Sequence, residues 1–315
     1  MTKVSVIIPN YNHSNYLNQR IDSVLNQSYQ DFEVILLDDL SKDDSVNTLE
    51  SYKHHPKVSH LLVNKKNSGS PFGMWQKGFE LAKGELIWIA ESDDWADPNF
   101  LEILIPKFEN DNVIVSHCIS YNHYMNSKVT KVNSWWTSFN VDFWDSDYIE
   151  NGRKLLRTYG KYKCPVINVS SALIRKEILK DIEIPVSYKF CGDWWFWAQI
   201  FCLGDIAYTS KALNYIRVHD NSATSNNKTN AILKLNENVK VIKGISRLLE
   251  EKVSYNKNYE WLTYFWVKQM FKNKNYFKVD YVFPNVPLSF LLAFYKKFTN
   301  DLILKIKKKS VFFSN

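Results

Sequence analysis

Residues 4–10 read VSVIIPN, residues 17–27 read LNQRIDSVLNQ, and residues 32–39 read FEVILLDD. The two outer stretches are continuous apolar runs of strand length, and such runs belong to strands covered on both faces. The middle stretch carries a helical pattern. The alternation continues outward with SVNTLESYKHH (45–55) as a helix and VSHLLVN (58–64) as a strand. Strands that alternate with helices predict βαβ units and a mostly parallel α/β sheet flanked by helices.

Farther along, NKKNSGSP (64–71) is a polar turn, FGMWQKGFELAKG (72–84) a helix closed by Gly84, and ELIWIA (85–90) a strand. Asp97-Pro98 then opens a helix, NFLEILIPKF (99–108), with Asp97 in the N-cap position. VIVSHCISY (113–121) is a further strand, and 122–165 reads as a long polar and aromatic loop that contains Trp135 and Trp136. Loops of that length commonly bind something; for the two indoles, acceptor binding and simple packing stand equal. VINVSSALIRKEIL (166–179) restores a strand and a helix, GDWWFWAQIFCLG (192–204) is an aromatic helix, and IAYTSKALNYIRVH (206–219) forms strands. The character then turns helical. The expected division is a domain over 1–222 and a helical, basic and aromatic C-terminal extension over 223–315.

A chain of 315 residues with 45% hydrophobic content can bury a full core. Its four cysteines show no CxxC pairing and no ligand-like spacing with the seven histidines, which excludes a zinc or disulfide framework and fits a reducing cytoplasm. No secretion signal is expected at the start, and no run reaches the roughly 20 apolar residues of a spanning helix. Between residues 272 and 309, nine lysines stand against Asp280 and Asp301, so this tail carries the whole net charge of +7. A net positive charge confined to a tail and mixed with VPLSFLLAFY and LILKIKKKSVFF argues against a nucleic-acid surface. It points to peripheral contact with anionic lipid at the cytoplasmic membrane face, or to a tail packed on the body.

The apolar runs VILLDD and LIWIAESDD both end in aspartates, and open α/β sheets bind ligands beyond the carboxyl ends of their strands. Asp38, Asp39, Asp93 and Asp94 are therefore expected to converge. Uncompensated, such charge raises carboxylate pKa values, and a hard divalent cation that shares a substrate's phosphates would relieve it. NSGSPFG matches neither G-x-G-x-x-G nor G-x-x-x-x-G-K-[ST], so a dinucleotide fold and a P-loop enzyme lose support.

Four segments in order, VSVIIPNYNHSNYLNQRIDSVLNQSYQDFEVILLDDLSKDDS, NSGSPFGMWQKGFELAKGELIWIAESDDWADP, GDWWFWAQI and YIRVHDNSAT, resemble the family 2 glycosyltransferases, inverting enzymes of GT-A fold. The resemblance implies that Pro9 and Tyr11 border a nucleotide base, that Asp39 hydrogen-bonds it, and that Asp38 supports the strand end. It implies further that Asp94 binds Mn²⁺ or Mg²⁺, that Asp93 contacts the ribose or diphosphate, and that His219 helps hold the metal or the diphosphate. Asp193 would be the catalytic base, with Trp194 or Trp195 turned to the acceptor. Many relatives carry arginine and asparagine where this chain has Trp75 and Gln76, which leaves Lys77, His219 or the metal to meet the diphosphate. The expected activity is transfer of a sugar from a nucleotide-diphosphate donor, UDP preferred, to a hydroxyl of a cell-surface glycan or lipid-linked oligosaccharide. The alternatives are a non-catalytic glycan-binding or scaffold subunit and, with less support, a nucleotidyltransferase.

Overall fold

The computed structural model describes residues 2–134, 140–218 and 231–253, together with 259, 261–262, 288, 292, 294–300 and 302–303. Trp135, Trp136, His219 and most of the basic tail lie outside the described residues. The chain forms two compact units, Met1–Ser225 and Asn226–Asn315.

The first unit is built on ten strands: β1 (Val4–Asn10), β2 (Phe32–Asp38), β3 (Val58–Val63), β4 (Leu86–Ile89), β5 (Trp95–Ala96), β6 (Val113–Tyr124), β7 (Val129–Val132), β8 (Tyr148–Asn151), β9 (Ala172–Arg175) and β10 (Asp205–Val218). Its helices are α1 (Ser14–Leu25), α2 (Ser45–Tyr52), α3 (Pro71–Leu81), α4 (Phe100–Leu104), α5 (Val141–Trp144), α6 (Gly152–Leu155) and α7 (Gly192–Ile200). The second unit contributes α8 (Ala231–Leu249).

The sheet runs β3-β2-β1-β4-β9-β6-β10-β5, with β7 beside β6 and β8 beside β10. Strands β3, β2, β1 and β4 are mutually parallel, as are β6 and β10. Strand β9 enters between the two groups antiparallel to both neighbours. The result is the expected α/β architecture, a mixed and mostly parallel sheet flanked by helices. Every residue of β1 and β2 is buried, which requires cover on both faces. One layer of cover comes from Leu17, Ile21 and Val24 of α1, which pack with Val6, Ile8, Val34, Leu36 and Trp88 in the core. Each such side chain stabilises the fold by about 1.5–3 kcal/mol when fully buried.

Several local expectations are corrected. Helix α3 ends at Leu81, and Gly84 does not close it. A Cβ on Gly84 would stand 2.5 Å from the Ser5 backbone nitrogen, so glycine is needed there to let the chain cross β1. Asp97 does not cap α4, because Asn99 holds that position. Asp97 instead forms a turn, its Oδ1 accepting from the Asn99 backbone N–H at 2.9 Å, while its own N–H donates to Leu213 O on β10. The segment 122–165 is no continuous loop, since it holds the end of β6 together with β7, α5, β8 and α6. Its polar residues hid the strands: β7 lies at the edge of the sheet and is exposed at all four positions. After β9, residues Lys176–Asp181 form a 3₁₀ turn where a helix was expected.

Candidate active site

The carboxyl ends of β1 and β2 form the first half of the site. Asp38 is fully buried and accepts from Asn10 Nδ2 at 2.7 Å, from the Ser41 N–H at 2.8 Å and from Ser41 Oγ at 2.7 Å. These bonds fold the turn after β2. Asp39 also works locally in this structure. Its carboxylate accepts from Asn64 Nδ2 at 2.6 Å, from the Ser68 N–H at 2.9 and 3.0 Å, and from Ser68 Oγ at 2.7 Å. A carboxylate offers about four lone-pair sites, so the 64–70 turn fills Asp39. Pro9 is buried within β1, and Tyr11 stands just past the strand with 42% of its surface exposed. Lys77 donates to Asn64 Oδ1, which ties it to this turn.

The second half is the ESDD turn after β4. Asp94 is 2% exposed, and its Oδ2 accepts from Asn168 Nδ2 and Ser170 Oγ, both at 2.9 Å, while Oδ1 accepts from the Arg217 N–H at 3.2 Å. Burial and the neighbouring Asp93 push its carboxyl above the usual range, against the pull of Arg20, Asn168 and Ser170. Asp93 is partly exposed. Glu91 receives the Trp75 indole N–H on Oε1 at 2.8 Å. Burial first, and then Asp93, raise the Glu91 carboxyl to about 8, so at neutral pH it is mostly protonated. Ser92 is buried, with its Oγ 2.8 Å from His13 Nδ1. The four aspartates thus fall into two separately bonded nests rather than the single converging cluster expected from their positions at strand ends.

Two arginines compensate the ESDD turn, and the sequence reading missed both. Arg20 on α1 is fully buried and donates Nε–H to Glu91 O at 2.8 Å; Arg217 on β10 donates Nε–H to Asp93 O at 2.8 Å. Burial lowers the Arg20 guanidinium to about 10, which leaves it charged at neutral pH. With Glu91 protonated, two carboxylates face two guanidinium groups. A signal for Arg20 was available: it shares the buried face of α1 with Leu17, Ile21 and Val24, and a charge on an apolar stripe asks for a partner.

Asp193 lies in the first turn of α7, partly exposed, with Oδ1 accepting from the Trp194 N–H at 2.7 Å. Trp194 turns inward. It is 5% exposed and donates its indole N–H to Gly160 O at 2.6 Å, so of the two expected acceptor-facing indoles only Trp195 is partly exposed. Phe196 of α7 packs edge-on against Trp75, ring centroids 5.4 Å apart, and Trp75 in turn holds Glu91. Trp75 of α3 therefore touches both the ESDD turn and the helix that carries Asp193.

Among the described residues, no three His, Cys, Asp or Glu side chains stand close enough to hold a metal by themselves. The donor set nevertheless suits a divalent cation that arrives with its phosphates. Asp94 keeps one lone-pair site, Asp93 is partly exposed beside it, and Mg²⁺ is usually held by one or two carboxylates plus substrate oxygens.

Residues 5–183 match the sequence profile described as glycosyl transferase family 2. The chain belongs to that family. An uncharacterized glycosyltransferase of Rickettsia bellii is 28% identical over 222 residues, covering 70% of this chain and 30% of its own length. The chain therefore spans less than a third of that relative. Among solved structures, S. aureus TarS 1–349 in complex with UDP-GlcNAc superposes with a TM-score of 0.62 at 20% identity, over 93% of this chain and 78% of that one. The mannosyltransferase PcManGT from Pyrobaculum calidifontis, in complex with GDP-Man and Mn²⁺, gives 0.60 at 14% identity, over 89% and 77%. At these identities the likeness concerns the fold, which is of the GT-A type.

Proposed function

We propose that this family 2 glycosyltransferase moves a sugar from a nucleotide-diphosphate donor, UDP preferred, to a hydroxyl of a cell-surface glycan or lipid-linked oligosaccharide, with inversion at the anomeric carbon. The observation that carries the reading is the pair of distinct acid sites linked through Trp75 of α3, which donates to Glu91 of the ESDD turn and packs against Phe196 of the helix that carries Asp193. Inverting transfer needs that division of labour. One carboxylate takes the proton of the attacking hydroxyl while the departing diphosphate is stabilised on the opposite side of the sugar.

In this reading Asp193 is the base, and the acceptor hydroxyl lies between it and the anomeric carbon. Trp195 offers its partly exposed face to the acceptor. Pro9 and Tyr11 border the base of the nucleotide, and Asp39 receives a base N–H once Ser68 gives way. A divalent cation, Mn²⁺ or Mg²⁺, would supply charge stabilisation for the leaving diphosphate when bound. Asp94, bonded three times within the turn, would turn its remaining lone pair to the metal, and Asp93, partly exposed beside it, contacts the ribose or diphosphate. His219 is proposed to complete the diphosphate site. The GDP-Man and Mn²⁺ bound by PcManGT and the UDP-GlcNAc bound by TarS support a nucleotide-sugar donor for this fold. The basic tail is proposed to keep the enzyme at the cytoplasmic membrane face; among the described residues, no helix is long and apolar enough to cross a membrane.

The test uses donor hydrolysis and calorimetry with UDP, dTDP, GDP and CDP, each with and without Mn²⁺. Asp193→Asn is expected to lower turnover by a factor on the order of 10²–10⁴ while nucleotide binding stays within about twofold of wild type, because general-base catalysis acts only on the chemical step. Full turnover in Asp193→Asn would remove Asp193 from the mechanism. Absence of binding by every nucleotide would favour the glycan-binding reading.

A further inference from the structure

We propose that Arg217 is a positioning residue of the transfer reaction, one that sets the direction in which Asp93 presents its carboxylate to the donor's diphosphate. The inference rests on the reading that Asp93 faces the donor.

Arg217 grips the ESDD turn twice. Its backbone N–H donates to Asp94 Oδ1 at 3.2 Å, and its Nε–H donates to the Asp93 carbonyl at 2.8 Å. The Asp93 carbonyl and the Asp94 side chain are thereby both tied to β10. The guanidinium is itself locked in place. Nη2 donates to Gln19 Oε1 on α1 at 2.7 Å, and the plane sits between two rings, 4.5 Å from Tyr16 on α1 and 4.7 Å from Trp95 on β5. The stack continues outward, with Trp95 on Tyr215 at 4.9 Å and 7°, and Tyr215 on Tyr121 at 5.0 Å and 25°. Four rings from α1, β5, β6 and β10 thus support one guanidinium, and that side chain fixes the carbonyl of Asp93.

The grip makes Arg217 more than a counter-charge to the turn. A point charge would serve Asp93 through its carboxylate, yet the Nε–H is spent on the carbonyl. The planar, delocalised guanidinium suits this place because it can donate from its edge while both faces lie against aromatic rings. An ammonium group can do only one of these at a time.

The experiment is a double-mutant cycle on Arg217 and Asp93, read as UDP affinity with Mn²⁺ by calorimetry and as kcat and KM for hydrolysis of a UDP-sugar, with thermal unfolding to confirm folding. Arg217→Met is expected to weaken UDP–Mn²⁺ binding about tenfold, the scale of one charged hydrogen bond, while in an Asp93→Asn background the same change has no further effect. Arg217→Lys is expected to behave like Arg217→Met. Tyr16→Leu and Gln19→Leu, which each loosen one support of the guanidinium from α1, are expected to give smaller losses in the same direction, and they keep the test open if Arg217→Met does not fold. Equal losses from Arg217→Met in both backgrounds, or full rescue by lysine, would overturn the proposal. An Asp93→Asn protein that binds and turns over like wild type would overturn the reading of Asp93 as well, whereas an impaired Asp93→Asn beside an unaffected Arg217→Met would overturn the positioning role alone.

Discussion

Replacing Glu91 by glutamine should make the protein more stable at pH 8 and should flatten its pH dependence. Burial and the adjacent Asp93 lift the Glu91 carboxyl from 4.5 in the unfolded chain to about 8 in the fold, which corresponds to about 5 kcal/mol as an upper bound. Between these values the native state keeps a proton that the unfolded state has released. Stability contributed by this group is therefore full below pH 4.5 and falls as pH rises to 8, by up to tenfold in the folding constant per pH unit. Glutamine keeps an oxygen for the Trp75 indole N–H, which donates to Glu91 Oε1 at 2.8 Å, and it removes the ionisation. Urea unfolding of both proteins at half-unit steps from pH 5 to 9, in EDTA, isolates the effect, since all other groups cancel in the difference. The two curves should coincide near pH 5 and separate progressively up to about pH 8. Parallel curves, or a glutamine variant less stable at pH 8, would refute a protonated Glu91.

Other outcomes follow from single contacts. Ser68→Ala frees a site on the Asp39 carboxylate that Ser68 Oγ occupies at 2.7 Å, so nucleotide affinity should rise by up to about tenfold, with an unchanged or weaker calorimetric Kd counting against a base-binding Asp39. Gly84→Ala places a methyl 2.5 Å from the Ser5 nitrogen and 2.7 Å from the Val4 carbonyl carbon; the cost in urea unfolding should be at least about 1–3 kcal/mol, because neither atom can rotate away. His117 is buried beside a cavity of about 10 Å³, and burial lowers its pKa to about 3. Its stability contribution is present above pH 6.5 and lost as pH falls toward 3, so His117→Phe should blunt acid unfolding followed by circular dichroism.

The parallel half of the sheet was legible because β1, β2 and β4 are buried on both faces and therefore read as unbroken apolar runs. The region from 122 to 165 was not, since Asn122, His123, Lys128 and Lys131 break the alternation at a sheet edge where water tolerates either pattern. The site divided in the same way. Carboxylates at the ends of apolar strands announce themselves, and Glu91, Asp93, Asp94, Asp38 and Asp39 all sit where the pattern put them. What surrounds them was invisible, because the partners come from far away in the chain: Asn168 and Ser170 from the turn before β9, Arg217 from the last strand. Trp194 illustrates the limit at close range. Side by side in the sequence, it and Trp195 are equivalent aromatic candidates, and only the position of the Gly160 carbonyl shows which one the core has claimed.

The bonds between Arg217 and the ESDD turn span 123 and 124 residues of sequence. A ribosome that has released β1 through β4 has therefore produced the acidic turn well before the strand that steadies it. During that interval the nascent chain carries Glu91, Asp93 and Asp94 without their outer clamp, and α1 lacks the guanidinium that its Tyr16 and Gln19 will later hold. The acidic turn and its last support are thus made far apart in the translation of the first unit. Completion of the clamp on the acidic turn becomes a late event of that unit's birth, so a chain truncated before β10 would keep the acidic sequence and lack the strand that orders it.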